Sequence, residues 1–215
     1  MEYTDDRYFT RLAEAFVRGK LGHIPPALSS QEIIQRGLGA GLRLHKFKRS
    51  TELARVRKVL GILQGLGPVS LLDIGSGRGT FLWPLVDAFP QLEICSVDIS
   101  SRRVADINSV RDGGITNIRA IEMDAAELKF ENNSFDVVTM LEVLEHMPSP
   151  QRAASEAVRV AKRFVVSSVP SKEDDNPEHI NLFDKRSFEG LFLAAGAKNA
   201  RIEFVLNHMI VVAKV

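Results

Sequence analysis

The sequence predicts an α/β fold, a mostly parallel β-sheet with helices on both faces that follows a helical N-terminal extension. From residue 69 onward, apolar runs alternate with stretches of helical periodicity, a pattern typical of parallel sheets covered by helices. The last two runs, 201–206 and 209–215, are joined by only Asn207 and His208, and so short a link favours an antiparallel hairpin. The earlier apolar runs span residues 69–74, 92–97, 118–123, 135–141 and 163–169.

The residues before these strands predict helices. Apolar side chains recur at helical spacing over residues 5–20, and a Pro-Pro pair ends that segment. Ser29 and Glu32 have the spacing of a capping box that opens a short helix, and the glycines of residues 37–41 predict a loose segment after it. Residues 50–66 have the clearest apolar spacing of i+3 and i+4, which predicts a helix ended by a Gly-Pro pair.

The helices that connect the strands are predicted from periodicity and from their ends. Ser149 before Pro150 has the pattern of an N-cap followed by proline at the first helical position. We expect two units, a helical extension or lid over residues 1–49 and a domain over residues 50–215. The predicted connecting helices span residues 79–88, 101–112, 150–161 and 184–196.

Composition predicts a packed globular chain. Its 215 residues are 45% hydrophobic and 26% charged, with a formal net charge of +1, which favours a folded core over disorder. No apolar run approaches the roughly 18 residues of a membrane span, and the first residues lack the apolar segment of a signal peptide. The single cysteine, Cys95, has no partner for an internal disulfide, so we expect a cytoplasmic protein with no membrane partner.

A glycine-rich turn follows the first predicted strand. Glycine lets a backbone turn sharply and approach a ligand closely, because no Cβ is in the way. Such a turn between a strand and a helix is typical of a cofactor cradle and also occurs as a plain connection. Thr80 occupies the place where the dinucleotide-binding fingerprint needs a third small residue, so the turn does not match that fingerprint. The Asp73 carboxylate at the strand end can bind an ammonium group. The turn contains Gly75, Ser76, Gly77 and Gly79.

This turn is similar to motif I of the class I S-adenosylmethionine (SAM) methyltransferases, and the chain resembles their type-11-like members. The closing hairpin resembles the antiparallel end of their sheet, and the resemblance covers residues 50–215. It implies a Rossmann-like, seven-stranded sheet, SAM as the cofactor, and methyl transfer as the activity.

Ligands in open α/β sheets bind beyond the carboxyl ends of the strands, so the residues there are the candidate cofactor site. Asp98 follows the second strand, where an ionised carboxylate can accept two ribose hydroxyls, or can cap the next helix instead. Ile99 beside it can cover an adenine face. The resemblance further implies that Asp124, with Ala125, meets the adenine amino group and that the Leu141 backbone contacts the methionine end of SAM.

The segment after the fourth strand contains the candidate active centre. Glu142, Glu145 and His146 are spaced so that a helical turn would project all three to one side. His179 follows the fifth strand and would hang over the same edge of the sheet, at the end of the polar segment 171–178, which is a lid or a solvated loop. Two carboxylates and imidazoles are ligands for hard to borderline divalent metals.

This arrangement resembles two metal-using branches of the family, the ubiquinone-biosynthesis O-methyltransferases and the small-RNA 3′-end 2′-O-methyltransferases. The resemblance implies that all four side chains bind a divalent ion such as Mg²⁺, Mn²⁺, Co²⁺ or Zn²⁺, which would lower the pKa of a substrate hydroxyl. Without a metal, His146 and His179 are the candidate catalytic residues, as a base or as substrate contacts.

A basic stretch of the sequence is compatible with either a small molecule or RNA as the methyl acceptor. Residues 43–58 contain seven basic side chains against Glu52 alone, a pattern found in phosphate and RNA sites and, more often, on solvated helix faces. We expect a hydroxyl, or another nucleophile, of a small molecule as the acceptor and no nucleic-acid partner. The alternatives are a metal-dependent RNA 2′-O-methyltransferase and a non-catalytic SAM-binding protein; the Asp-rich motif expected of a polyamine synthase is missing after the fourth strand.

Overall fold

A computed structural model describes residues 9–49, 53–173 and 175–215. Its sheet has seven strands in the order β3-β2-β1-β4-β5-β7-β6. The first five strands pair in parallel, and β7 is antiparallel to both β5 and β6. The predicted fold class is therefore confirmed. The strands are β1 (Ser70–Ile74), β2 (Glu93–Asp98), β3 (Ile118–Glu122), β4 (Phe135–Leu141), β5 (Ala161–Pro170), β6 (Asn199–Val205) and β7 (His208–Lys214).

The helices begin and end close to the predicted signals. The capping box at Ser29 and Glu32 is formed, and Pro150 occupies the first turn of its helix. Two expectations need correction: the second helix continues to Gly39, where we expected a loose segment, and the fourth begins at Leu82, not residue 79. The helices are α1 (Thr10–Leu21), α2 (Ser30–Gly39), α3 (Ala54–Leu66), α4 (Leu82–Ala88), α5 (Ser101–Asp112), α6 (Pro150–Val160) and α7 (Lys185–Ala194).

Two apolar layers lie on opposite faces of the sheet. Successive strand residues alternate between them, as Leu71 and Leu72 do, because side chains in a strand point to opposite faces. One layer packs against α1, α3, α4 and α5, and the other against α6 and α7. With both faces covered, the exposed ends of the strands are where a ligand can reach the sheet.

The N-terminal extension packs into the first of these layers. The ring centroid of Phe47 lies 5.2 Å from that of Phe16 and 5.0 Å from that of Trp83. Phe9 is buried in the same apolar layer. Phe9 and Phe16 therefore pack the extension onto the domain, whereas its role as a lid stays a prediction. Two further aromatic residues of the extension, Tyr3 and Tyr8, lie outside the described residues. The boundary near residue 49 stays a prediction. Within the described ranges, no helix is long and apolar enough to cross a bilayer.

Candidate active site

A cavity of about 830 Å³ opens at the carboxyl ends of the parallel strands. Parallel strands end at one edge, so residues distant in sequence meet there. The cavity brings together most of the residues predicted for the cofactor and two predicted for the active centre. On its walls are Gly75, Gly77, Asp98, Ile99, Asp124, Ala125, Glu142 and His146.

The glycine turn is held in a left-handed conformation. Gly75, Gly77 and Gly79 have φ values of 72°, 58° and 85°. A Cβ on Gly79 would overlap the buried Trp83 indole, whose Nε1 donates a hydrogen bond to the Arg78 carbonyl at 3.0 Å. Trp83 therefore fixes the turn from below and requires glycine at position 79.

The Asp98 carboxylate lies at the end of β2 and is 4% exposed. Its Oδ2 accepts a hydrogen bond from the Gly77 amide and its Oδ1 one from the Ser100 amide, both at 2.9 Å. Both roles considered for Asp98 are compatible, because a carboxylate has about four lone-pair positions and these amides use only two. Arg103 lies 3.5 Å from Oδ1.

Asp73 lies beneath the turn and does not line the cavity. Its carboxylate accepts hydrogen bonds from the Ser76 hydroxyl at 2.6 Å and the Thr139 hydroxyl at 2.7 Å. Burial raises the pKa of Asp73 to about 6, against the lowering effect of these two hydroxyls. Asp73 and Ser76 therefore support the turn from inside, and a contact with an ammonium group stays a prediction.

The remaining cofactor candidates line or border the same cavity. Ile99 is 73% exposed, which leaves its side chain available to a flat ring. Asp124 is exposed and accepts a hydrogen bond from the Ala126 amide at 2.8 Å. Leu141 is half-buried against the core and is not on the cavity wall, so a contact could come only from its backbone.

Where His146 lines the cavity, a carboxylate and two imidazoles come together. Glu145 and His146 lie in a short 3-10 helix, Leu144–His146, that follows β4. One ligand atom from each of Glu145, His146 and His179 lies within 4.8 Å of the others. Glu145 is buried, His179 is half-buried and His146 is exposed on the cavity wall.

Hydrogen bonds between two loops hold this cluster. His146 Nδ1 lies 2.9 Å from the Glu178 carbonyl oxygen. Because a carbonyl oxygen can only accept, Nδ1 donates this hydrogen bond. In the neutral ring, Nε2 then has a free lone pair that can accept a proton or bind a metal ion. The Asn181 side-chain amide donates to the carbonyls of Leu144 at 3.1 Å and Met147 at 2.7 Å. The loop that contains His179 is thereby fixed to the turn that contains His146.

Glu142 does not join the other three predicted metal ligands, which corrects that expectation. Its backbone has a φ of 57° at the end of β4, so residues 142–146 do not form the single helical turn we expected. The carboxylate instead accepts hydrogen bonds from Ser168 at 2.7 Å and His208 at 3.1 Å. Burial alone would raise the pKa of Glu142, but these bonds and Arg55 outweigh it and hold the pKa below its usual value.

Comparisons with known proteins agree with this geometry. Residues 72–164 match a family described as a methyltransferase domain. The comparisons support the class I SAM-dependent methyltransferase family for this part of the chain. A ubiquinone/menaquinone biosynthesis C-methyltransferase of Brucella abortus is 31% identical over 126 residues, 56% of this chain and 46% of that protein. A ubiquinone biosynthesis O-methyltransferase of Cupriavidus pinatubonensis is 32% identical over 114 residues, 50% of this chain and 44% of that protein.

The chain thus spans about half the length of these curated relatives. A solved SAM-dependent methyltransferase from Aquifex aeolicus has the same fold, with a TM-score of 0.61 and 20% identity. The superposition covers 77% of this chain and 92% of that structure.

The cavity fits SAM, the cofactor of the methyltransferases that the chain resembles. A Cβ on Gly77 would meet only the Gly75 carbonyl oxygen, at 3.8 Å, so the backbone there is open to close approach by a ligand. Asp98, Gly77 and the exposed Ile99 offer acceptor, backbone and apolar contacts on one side. The volume lies within the roughly 300–1,000 Å³ typical of small-molecule sites.

Sequence reasoning missed several residues of this site. His208 and Ser168, which bind Glu142, are contributed by strands β7 and β5, and Asn181 is 34 residues from Met147. Their spacing resembles no local motif, so only the sheet order brings them together. The basic stretch does not form one continuous basic surface, because three of its side chains are paired with acidic residues. The ion pairs are Arg49 with Asp87, Arg55 with Glu142, and Lys58 with Glu203.

Proposed function

We propose that this chain transfers the methyl group of SAM to a hydroxyl of a small molecule held beside His146 and His179. The observation that supports it is the cluster of Glu145, His146 and His179, whose His146 lines the same cavity as Asp98. SAM supplies an electrophilic methyl group, so the protein has to align the acceptor, exclude water and remove the hydroxyl proton.

His146 has the groups that proton removal needs. Its Nδ1 is occupied by the Glu178 carbonyl, and its exposed ring puts Nε2 within reach of an acceptor in the cavity. The His179 ring lies 4.8 Å from it, centroid to centroid, and a carboxylate oxygen of the buried Glu145 lies within 4.8 Å of a nitrogen of each ring. These side chains can take up the hydroxyl proton and orient the oxygen.

The same three side chains fit a divalent metal ion. One carboxylate and two imidazoles suit borderline metals and leave coordination positions for a substrate. A bound ion would lower the pKa of a coordinated hydroxyl. The Glu178 carbonyl would orient His146 as the outer partner that metal-binding histidines usually have.

A calorimetric titration with Mn²⁺ and Zn²⁺ tests the metal directly. We expect saturable binding to the wild type, loss of binding in both His146→Ala and His179→Ala, and no change in His23→Ala, which removes an exposed histidine outside the site. The metal site would be contradicted if all three variants retained saturable metal binding, or if the wild type bound no metal. Either result would leave His146 as the base.

A transfer assay tests the acceptor. Labelled SAM is incubated with a panel of phenols, catechols and other hydroxyl compounds, and mass spectrometry locates the transferred methyl. We expect O-methyl products whose formation requires His146 and His179, and a chelator should abolish their formation if the metal is bound. Methyl transfer to carbon, or full activity of the His146→Ala/His179→Ala double variant, would contradict the proposal.

A further inference from the structure

A second cavity of about 490 Å³ adjoins the cofactor cavity and shares Gly77 and Arg103 with it. Three segments form its walls: the end of the N-terminal extension, the glycine turn, and the first turns of α5. None of the residues implicated in proton removal lines it, so it is separate from the acceptor end.

The lining of this second cavity is strongly cationic. Among the residues that the structure describes, Asp106 is the one carboxylate on the lining, and it pairs with both Lys46 and Lys20. Burial acts to raise the pKa of Asp106, but the two lysines outweigh it and hold the pKa below its usual value, so Asp106 stays ionised. Its charge is therefore balanced by the lysines and does not offset the arginines. The permanent cations on the lining are Arg43, Lys46, Arg78, Arg102 and Arg103.

The arginines converge without matching acids. Among the described residues, Arg43, Arg78 and Arg102 form no ion pair, whereas Arg103 lies 3.5 Å from Asp98. Like charges placed around one concavity focus a positive potential in it. Such an arrangement is unfavourable by itself and becomes favourable when an anion occupies the space.

The backbone adds to the same field. Helix α5 begins at the edge of this cavity, its N-cap residue Ser100 lines the wall, and the Ser100 side chain makes no cap hydrogen bond. The first amides of the 12-residue helix and its dipole therefore favour negative charge there. This contribution supplements the arginines and would not define a site alone.

We propose that this second cavity binds a small ligand that contains a diphosphate or triphosphate group. Guanidinium groups bind phosphate oxygens with paired hydrogen bonds, and several from different segments can bind adjacent phosphates at once. A single carboxylate would balance only one of the arginines. An enclosed space between three segments suits a compact polyanion better than the extended backbone of a nucleic acid, which needs an open basic groove.

Calorimetry with inorganic pyrophosphate at fixed salt tests the proposal. We expect saturable binding to the wild type and at least about a tenfold loss of affinity in Arg43→Gln/Arg78→Gln, as for lost charge-assisted hydrogen bonds. The matched control is Arg186→Gln, an exposed arginine on α7 across the sheet, which should bind as the wild type does. The double variant should still bind S-adenosylhomocysteine (SAH), the demethylated cofactor, which shows that it is folded.

Three further titrations show which cavity pyrophosphate occupies and which class of anion the second cavity prefers. Pyrophosphate should still bind when SAH is saturating, and inorganic phosphate should bind more weakly than pyrophosphate. Loss of pyrophosphate binding under saturating SAH would mean that it occupies the cofactor cavity, and would overturn the proposal. So would tight binding of a short single-stranded RNA without binding of pyrophosphate, or equal affinities in the wild type and the double variant. None of these results bears on methyl transfer itself.

Discussion

The two ends of the large cavity are built differently. The end around Asp98 is made of strand ends and a turn, and its key contacts join residues that follow successive parallel strands, as Gly77 and Asp98 do. The end around His146 is made of two loops held together by Glu178 and Asn181, 32 and 34 residues from the groups they bind. The first end depends on backbone conformation and sheet register, and the second on loop-to-loop contacts.

This difference explains how each end can vary. A backbone cradle tolerates few substitutions, because its glycines and buried carboxylates are fixed by packing beneath them. A cluster on two loops can change side chains without disturbing the sheet, which suits an acceptor site that sets specificity.

The largest expected effect is in the glycine turn. Gly79→Ala forces a Cβ into the Trp83 indole at a φ of 85°, and should lower the free energy of unfolding by about 3–5 kcal/mol. Gly77→Ala, at a φ of 58° with no overlap, should cost only about 1–2 kcal/mol. Urea unfolding of the two variants measures the difference. Equal losses would mean that Trp83 does not fix the turn.

Asp73 should make the free energy of unfolding depend on pH. Its folded pKa of about 6 lies above the ordinary value of 3.8, so its contribution to stability is greatest below pH 4 and is lost as the pH rises through 6. The loss should approach about 3 kcal/mol at most. Unfolding measured from pH 4 to 8 should show this slope in the wild type and not in Asp73→Asn. The exposed control Asp112→Asn should keep it, and a slope that persists in Asp73→Asn would assign it to another group.

A smaller effect is expected where the loops meet. Asn181→Ala removes the hydrogen bonds to the carbonyls of Leu144 and Met147, at a cost of about 1–2 kcal/mol to the local turn. Amide hydrogen exchange should become roughly tenfold faster at His146 and Met147, with the central strands unchanged. Asn207→Ala, on the β6–β7 turn, is the control. Unchanged exchange at His146 would show that other contacts hold the two loops.

Sequence reasoning predicted the first end of the cavity well for a physical reason. Glycine at positive φ, a carboxylate after an apolar run and the alternation of strands and helices are local signals, and parallel pairing then fixes where the residues meet. The fold class, the antiparallel pairing of its final hairpin and the meeting of Gly75, Asp98, Ile99 and Asp124 followed from them.

The second end was predicted in part. Glu145, His146 and His179 came together as expected, but Glu142 turned away because residue 142 has a left-handed backbone that its spacing does not reveal. The cationic second cavity was missed as well. Arg43, Arg78 and Arg102 lie in three separate segments, so of the cations on this lining the basic stretch of the sequence contained only Arg43 and Lys46.

Titration of SAH into the wild type, Asp98→Ala and His146→Ala/His179→Ala tests most directly whether the two ends act independently. We predict binding to the wild type in preference to NAD, about 10- to 100-fold weaker binding to Asp98→Ala as for a lost charge-assisted hydrogen bond, and unchanged binding to the double histidine variant. Absence of SAH binding to folded wild type, tighter binding of NAD, or loss of SAH binding in the histidine variant alone would contradict the account.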